Sequence, residues 1–159
     1  MKLVAVLLLA FTTGGAPANQ APGADGSCQA STTVRTTGPS EPGVSSVVPG
    51  PWYINADRSI WVAVPEAGWV AGGKLYSGGV EVPGRKTYWV RPAGSQLQIA
   101  ARRLDASAPA AAAHIPCCYT AGFQIVSLFF PTDGCWEVRA SAGRKELRFI
   151  TKVRREFAH

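Results

Sequence analysis

From position 47 onward the chain is a succession of short runs rich in β-branched and aromatic residues, separated by glycine, proline, asparagine and aspartate. The runs cover 52–54, 59–64, 73–76, 87–91, 96–103, 122–130, 135–140 and 145–153, and each has strand length rather than helix length. Leu97, Ile99 and Ala101 alternate with Gln96, Gln98 and Arg102, and Leu147, Phe149, Thr151 and Val153 alternate with Arg148, Lys152 and Arg154. A period of two puts one face of each such strand against a core and the other toward water. Turn-forming groups fall between the runs: Asn55-Ala56-Asp57, Gly78-Gly79, Pro83-Gly84, Pro92-Ala93-Gly94, Thr132-Asp133-Gly134 and Ala142-Gly143. The alanine-rich stretch 107–113 favours helix by composition, but Pro109 lies inside it and Pro116 follows, so it reads as an extended connection. The pattern predicts an all-β domain, an antiparallel sandwich of about 7–9 short strands.

What precedes position 44 is of a different kind. Met1-Lys2 and the apolar run Leu3 to Phe11 are followed by Ala16-Pro17-Ala18, small residues in the spacing of a cleavage site. The run is far short of the roughly 20 apolar residues that span a bilayer, so 1–18 reads as a secretory signal peptide and the chain as not transmembrane. Residues 19–43 are rich in Gly, Pro, Ser, Thr and Ala, which bury too little surface to offset ordering, and read as a flexible leader. The sandwich then occupies 44–157. With 47% hydrophobic residues, 16% charged and five tryptophans, it has ample material for one core. The expected product is secreted or periplasmic.

Four cysteines, at 28, 117, 118 and 135, fit oxidised pairs in such a compartment, and three pairings are open. A Cys28–Cys135 bridge would pin the leader across the sandwich, and closing a loop of about 100 residues contributes about 4–5 kcal/mol by the loss of chain entropy. The adjacent Cys117 and Cys118 would then form a vicinal disulfide, remain thiols, or bridge to another chain.

Arg102-Arg103-Leu104-Asp105-Ala106, Gly122-Phe123-Gln124, the stretch Phe129-Phe130-Pro131-Thr132-Asp133-Gly134-Cys135-Trp136-Glu137-Val138 and Leu147-Arg148-Phe149 resemble a signature of uncharacterised secreted bacterial proteins. The segment around Gly134-Cys135-Trp136 is its most specific part. The resemblance implies export, an immunoglobulin-like sandwich, and an N-terminal cysteine as partner of the cysteine before Trp136, hence Cys28 with Cys135. Cys117-Cys118 departs from that pattern, so any role of theirs would be peculiar to this chain.

The chemistry-bearing clusters are few. No G-x-S-x-G elbow, no phosphate-cradling glycine loop and no diagnostic carboxylate pair occurs among Glu66, Glu81, Asp105, Asp133 and Glu137, so no catalytic role and no cofactor is expected. Glu137 is placed on the outer face of its strand. His114 with Cys117 and Cys118 has the ligand types of a soft-metal site, for copper or zinc. Trp52, Tyr88 and Trp89 either fill the core, the favoured reading, or offer an aromatic ligand face, since the consecutive Tyr88 and Trp89 point to opposite sides of a strand. Between Arg139 and Glu156 seven Lys or Arg face two Glu, and Arg148, Lys152 and Arg154 would form a basic row on the last strand. Such a row meets acidic polymers or guards an exposed sheet edge. The reading that results is an exported, non-catalytic binding or structural module. The residues leave the partner open, with an envelope glycan or a protein as candidates and nucleic acid disfavoured. The alternative is an envelope metal-handling protein using His114, Cys117 and Cys118.

Overall fold

The computed structural model describes residues 28–39, 50–117 and 119–155; the proposed signal peptide, the stretch 40–49 and Cys118 lie outside the described residues. The described chain is all-β. Its strands are β1 (Trp52–Ile54), β2 (Trp61–Ala63), β3 (Trp69–Val70), β4 (Lys74–Ser77), β5 (Val80–Pro83), β6 (Arg85–Val90), β7 (Leu97–Arg103), β8 (Ala112–His114), β9 (Phe123–Phe129), β10 (Gly134–Ala142) and β11 (Lys145–Arg154). Eight of these correspond to the runs read from sequence. The other three, β3, β5 and β8, are two to four residues long, and β8 is alanine-rich, a composition with weak strand preference.

The strands form a sandwich of two sheets. One has the order β1-β2-β6-β9-β8 and the other β3-β11-β10-β7, with the β4–β5 hairpin as a separate pair. Pairing is antiparallel except where β3 runs parallel to the end of β11. Period-two alternation sends Trp136, Val138, Ala140 and Ala142 of β10 and Leu147, Phe149 and Val153 of β11 inward. There they meet Tyr53, Val62, Trp89, Val126 and Leu128 from the first sheet. The two layers are joined across the core by Tyr53, which stacks on Phe149 at 4.1 Å between centroids and whose hydroxyl hydrogen-bonds Thr151 Oγ1 at 3.3 Å.

The segment read from sequence as leader contributes to this frame at residues 28–34. Cys28 is bonded to Cys135 on β10. Ser31 then donates its N–H to the Ile150 carbonyl, and the Ile150 N–H donates to Ser31 Oγ, both at 2.8 Å. Three residues on, Val34 and Trp52 exchange backbone hydrogen bonds of 2.8 and 2.9 Å. Ser31 thus bonds to one sheet and Val34 to the other, so the segment is a strap across the edge of the sandwich. Composition misses this because a strap is held by backbone groups and one disulfide, which need no large apolar side chain.

Candidate functional site

The outward positions of β7, β10 and β11 form one continuous face. Register places Glu137 opposite Arg102 on one side and Ile150 on the other, and Arg139 opposite Ala100 and Arg148. Arg139 and Arg148 are therefore directly opposed cations, an arrangement that costs stability in a sheet unless an anion lies between them. Glu137 is that anion. Its Oε1 accepts from Arg139 Nε at 2.6 Å and from Arg102 Nε at 3.4 Å, and its Oε2 accepts from Arg148 Nε at 2.9 Å and again from Arg148 Nη2.

Although Glu137 points outward, it is 1% exposed. Burial raises its pKa, but the hydrogen bonds from Arg139, Arg148 and Arg102 outweigh that and hold the carboxyl at about 2. The arginine side chains themselves stay 58–66% exposed. One buried carboxylate thus fixes the roots of three guanidinium groups whose free edges face water. Lys152 and, at the end, Arg154 extend the row along β11, and Glu146 is the other carboxylate on this face, so five cations stand against two anions. Beside them a shallow depression of about 470 Å³ runs from Gln98 and Ala100 across Ser141 to Arg148. Fixed guanidinium groups, which donate in pairs to planar oxyanions, are suited to carboxylate, sulfate or phosphate esters.

The other sequence candidates are distributed differently. Arg148 and Lys152 belong to this face, whereas Arg154, at its end, donates to the Ala67 carbonyl. β3 pairs with β11 only at Val153 and Arg154, so over Arg148 and Lys152 β11 is the edge of its sheet, with the Ser31 strap beside it at Ile150. Trp52 and Trp89 are both 0% exposed and offer no ring to a ligand. Trp52 packs edge-to-face on Trp61, and Trp89 lies in the core with its Nε1 donating to Thr87 Oγ1 at 2.9 Å. Tyr88 is half-buried, stacked on Phe123 with Lys86 over its ring. Cys28 and Cys135 form the disulfide expected of them. Cys117 is also disulfide-bonded, which withholds its thiolate from a metal, and His114 is an exposed residue of β8. Among the described residues no three His, Cys, Asp or Glu side chains converge as metal ligands.

Sequence reasoning placed Glu137 on the outer face but missed its burial under arginines. The signal was present: Arg102, Glu137, Arg139 and Arg148 all occupy outward positions once the strands are paired, yet the pairing of β7 with β10 has no short turn to announce it. The residues that carry the sequence resemblance converge here and nearby. Arg103 donates to Asp105 at 2.7 Å and to Thr132 Oγ1 at 3.1 Å, and Trp136 Nε1 donates to the Thr132 carbonyl at 3.1 Å. Gly134, at φ 140°, leaves room for Arg103, whose Nε would lie 2.4 Å from a Cβ there.

Among the described residues no helix is long and apolar enough to cross a membrane. No family model, no curated protein and no solved structure matches the chain.

Proposed function

We propose that the protein is an exported, non-catalytic binding module whose ligand is a polyanionic glycan of the cell envelope, taken on the Arg102–Arg139–Arg148 face. The observation that carries this reading is the clamp on Glu137, which orders three guanidinium groups that remain more than half exposed. Ordering long side chains in advance lowers the entropy lost on binding. The immunoglobulin-like assignment and membership of the secreted bacterial group belong to the same reading, supported by the two facing sheets and the Cys28–Cys135 bridge. Export is supported by the pattern of residues 1–18 and by a disulfide that suits an oxidising compartment.

The test is retention on immobilised polygalacturonate against neutral dextran. The protein is expected to bind the polyanion only and to elute by about 0.5 M salt, where the screening length falls to roughly 4 Å. Arg102→Gln with Lys152→Gln leaves the two shortest Glu137 contacts in place and is expected to weaken binding about tenfold at low salt. Equal retention on dextran, or unchanged affinity of that variant, would overturn the proposal.

A further inference from the structure

At the other side of the molecule the two sheets end in neighbouring edge strands, β7 in one and β8 in the other. They are tied where the N–H of Ala111, just before β8, donates to the Ala101 carbonyl at 3.2 Å, and the loops leading into β7 and β9 are tied where Gly94 donates to the Thr120 carbonyl at 3.1 Å. Between these two closures the sheets separate around a cleft of about 860 Å³, within the range of ligand sites.

One wall of the cleft is Gln96 to Gln98, where β7 begins, and the open edge of β7 continues from there through Ile99 toward Ala101. The Ala101 carbonyl is turned away from β10, toward β8. Strand alternation turns the N–H and C=O of Ile99 and Leu97 the same way, and on that side β7 has no neighbouring strand. The other wall is His114 to Cys117 with Tyr119 and Thr120. The floor is Arg91, a residue only 3% exposed.

Arg91 is unusual because a buried cation normally has an anion beside it. Its Nε donates to Gln124 Oε1 at 3.1 Å, its Nη1 to the Pro92 carbonyl at 3.0 Å and its Nη2 to the Tyr119 carbonyl at 2.7 Å. All three acceptors are neutral, and they take three of the five N–H groups of a guanidinium. Gln124 is itself fixed by donating to the Pro116 carbonyl at 2.8 Å. The cleft lining contains no Asp or Glu. Burial accordingly pulls the Arg91 pKa down, though arginine stays charged.

We infer that this cleft binds an extended peptide, which adds as a strand to the edge of β7 and sets its C-terminal carboxylate on Arg91. The β7 edge supplies backbone groups with no neighbouring strand, in the spacing of a strand, and Arg91 supplies a charge that, among the described residues, is buried without a counter-ion. The two features lie in the same cleft and are complementary to the two ends of the recognition: main chain and terminal anion. This site adjoins the arginine face at Gln98 but uses no residue of the Glu137 clamp, so it does not depend on the binding proposed there.

The experiment is an amide and side-chain NMR titration of the oxidised full chain with tetra-alanine as the free acid and, in parallel, as its C-terminal amide. The free acid is expected to move the Arg91 Nε–H, the Gln124 side-chain amide and the backbone amides of Leu97 and Ile99, and to bind at least tenfold more tightly than the amide form. Arg91→Gln is expected to erase the difference between the two peptides; should that variant fail to fold, the comparison on the unaltered protein decides alone. Equal binding of acid and amide, absence of shifts with either, or shifts at Arg91 without any at Leu97 and Ile99 would each overturn the inference.

Discussion

Replacing Glu137 by glutamine keeps the shape of the side chain and removes only the charge that Arg102, Arg139 and Arg148 share. In the intact protein the carboxyl is held at about 2, against the 4.5 of a free glutamate. The sign follows: the folded state prefers the ionised form, so the contribution is complete above about pH 4.5 and is lost as pH falls through 2. At about 1.4 kcal/mol per pKa unit the full shift corresponds to about 3 kcal/mol. The arginine heads are more than half exposed and water screens them, so the expected loss for Glu137→Gln at pH 7 is about 2 kcal/mol.

Urea unfolding followed by tryptophan fluorescence measures this without adding ions, with the disulfides left intact. At pH 7 the variant should unfold at lower urea than the parent with the same slope. At pH 3 the parent carboxyl has lost more than half of its advantage, and the gap should shrink in proportion. A gap that stays the same between pH 7 and pH 3 would mean that shape or hydrogen-bond count, not charge, is what Glu137 provides. A gap below about 0.5 kcal/mol at pH 7 would mean that the three arginines are held by their own packing.

Two further outcomes follow from the frame. Cys28→Ser with Cys135→Ser opens a loop of 107 residues and should lower stability by about 4–5 kcal/mol in the chain-entropy account, with hydrogen-exchange protection lost first at Ser31 and Val34. Gly84→Ala places a Cβ 2.7 Å from the Leu128 carbonyl carbon at φ 113°, so the backbone itself must move; a loss of about 2 kcal/mol or more in the same urea assay is expected.

The sandwich was legible because its long strands alternate. β11 buries alternate residues from Leu147 to Val153 and β7 approaches the same pattern, whereas β10 buries Cys135 to Val138 in succession because its outward face is covered there. The turns flanking β10 carry Asp-Gly and Ala-Gly. The short strands were not, since Trp69–Val70 is two residues long and Ala112–His114 has neither branching nor aromaticity. The aromatic candidates failed for a related reason. Trp52 lies on the outward side of its sheet, where period-two reasoning leaves a ring exposed, but it is packed under Trp61, Ala63 and Val90 in a second apolar cluster. Alternation identifies which face a residue occupies and is silent on what covers that face. Arg91 was invisible for the converse reason: an arginine next to Pro92 reads as a turn residue, and only the fold closes Gln124 and the loop at 116–119 around it.

The position of the disulfide sets the strap beside the candidate face. Cys135 lies two residues from Glu137 on the same outward side of β10, so the strap starts beside the arginine clamp before it crosses to Ile150 and Trp52. Without the bridge, the backbone bonds that tie residues 28–34 to the sheets among the described residues are two at Ser31, one of them to a side chain, and the Val34 pair, set against an ordering entropy of about 1–2 kcal/mol per residue. Seven residues cannot be held by so few exposed bonds, each worth about 1 kcal/mol net. The strap, and with it the covered edge of β11, therefore depends on oxidation. The Glu137 clamp is built from β7, β10 and β11 alone, so reduction is expected to loosen the strap beside it before the clamp itself.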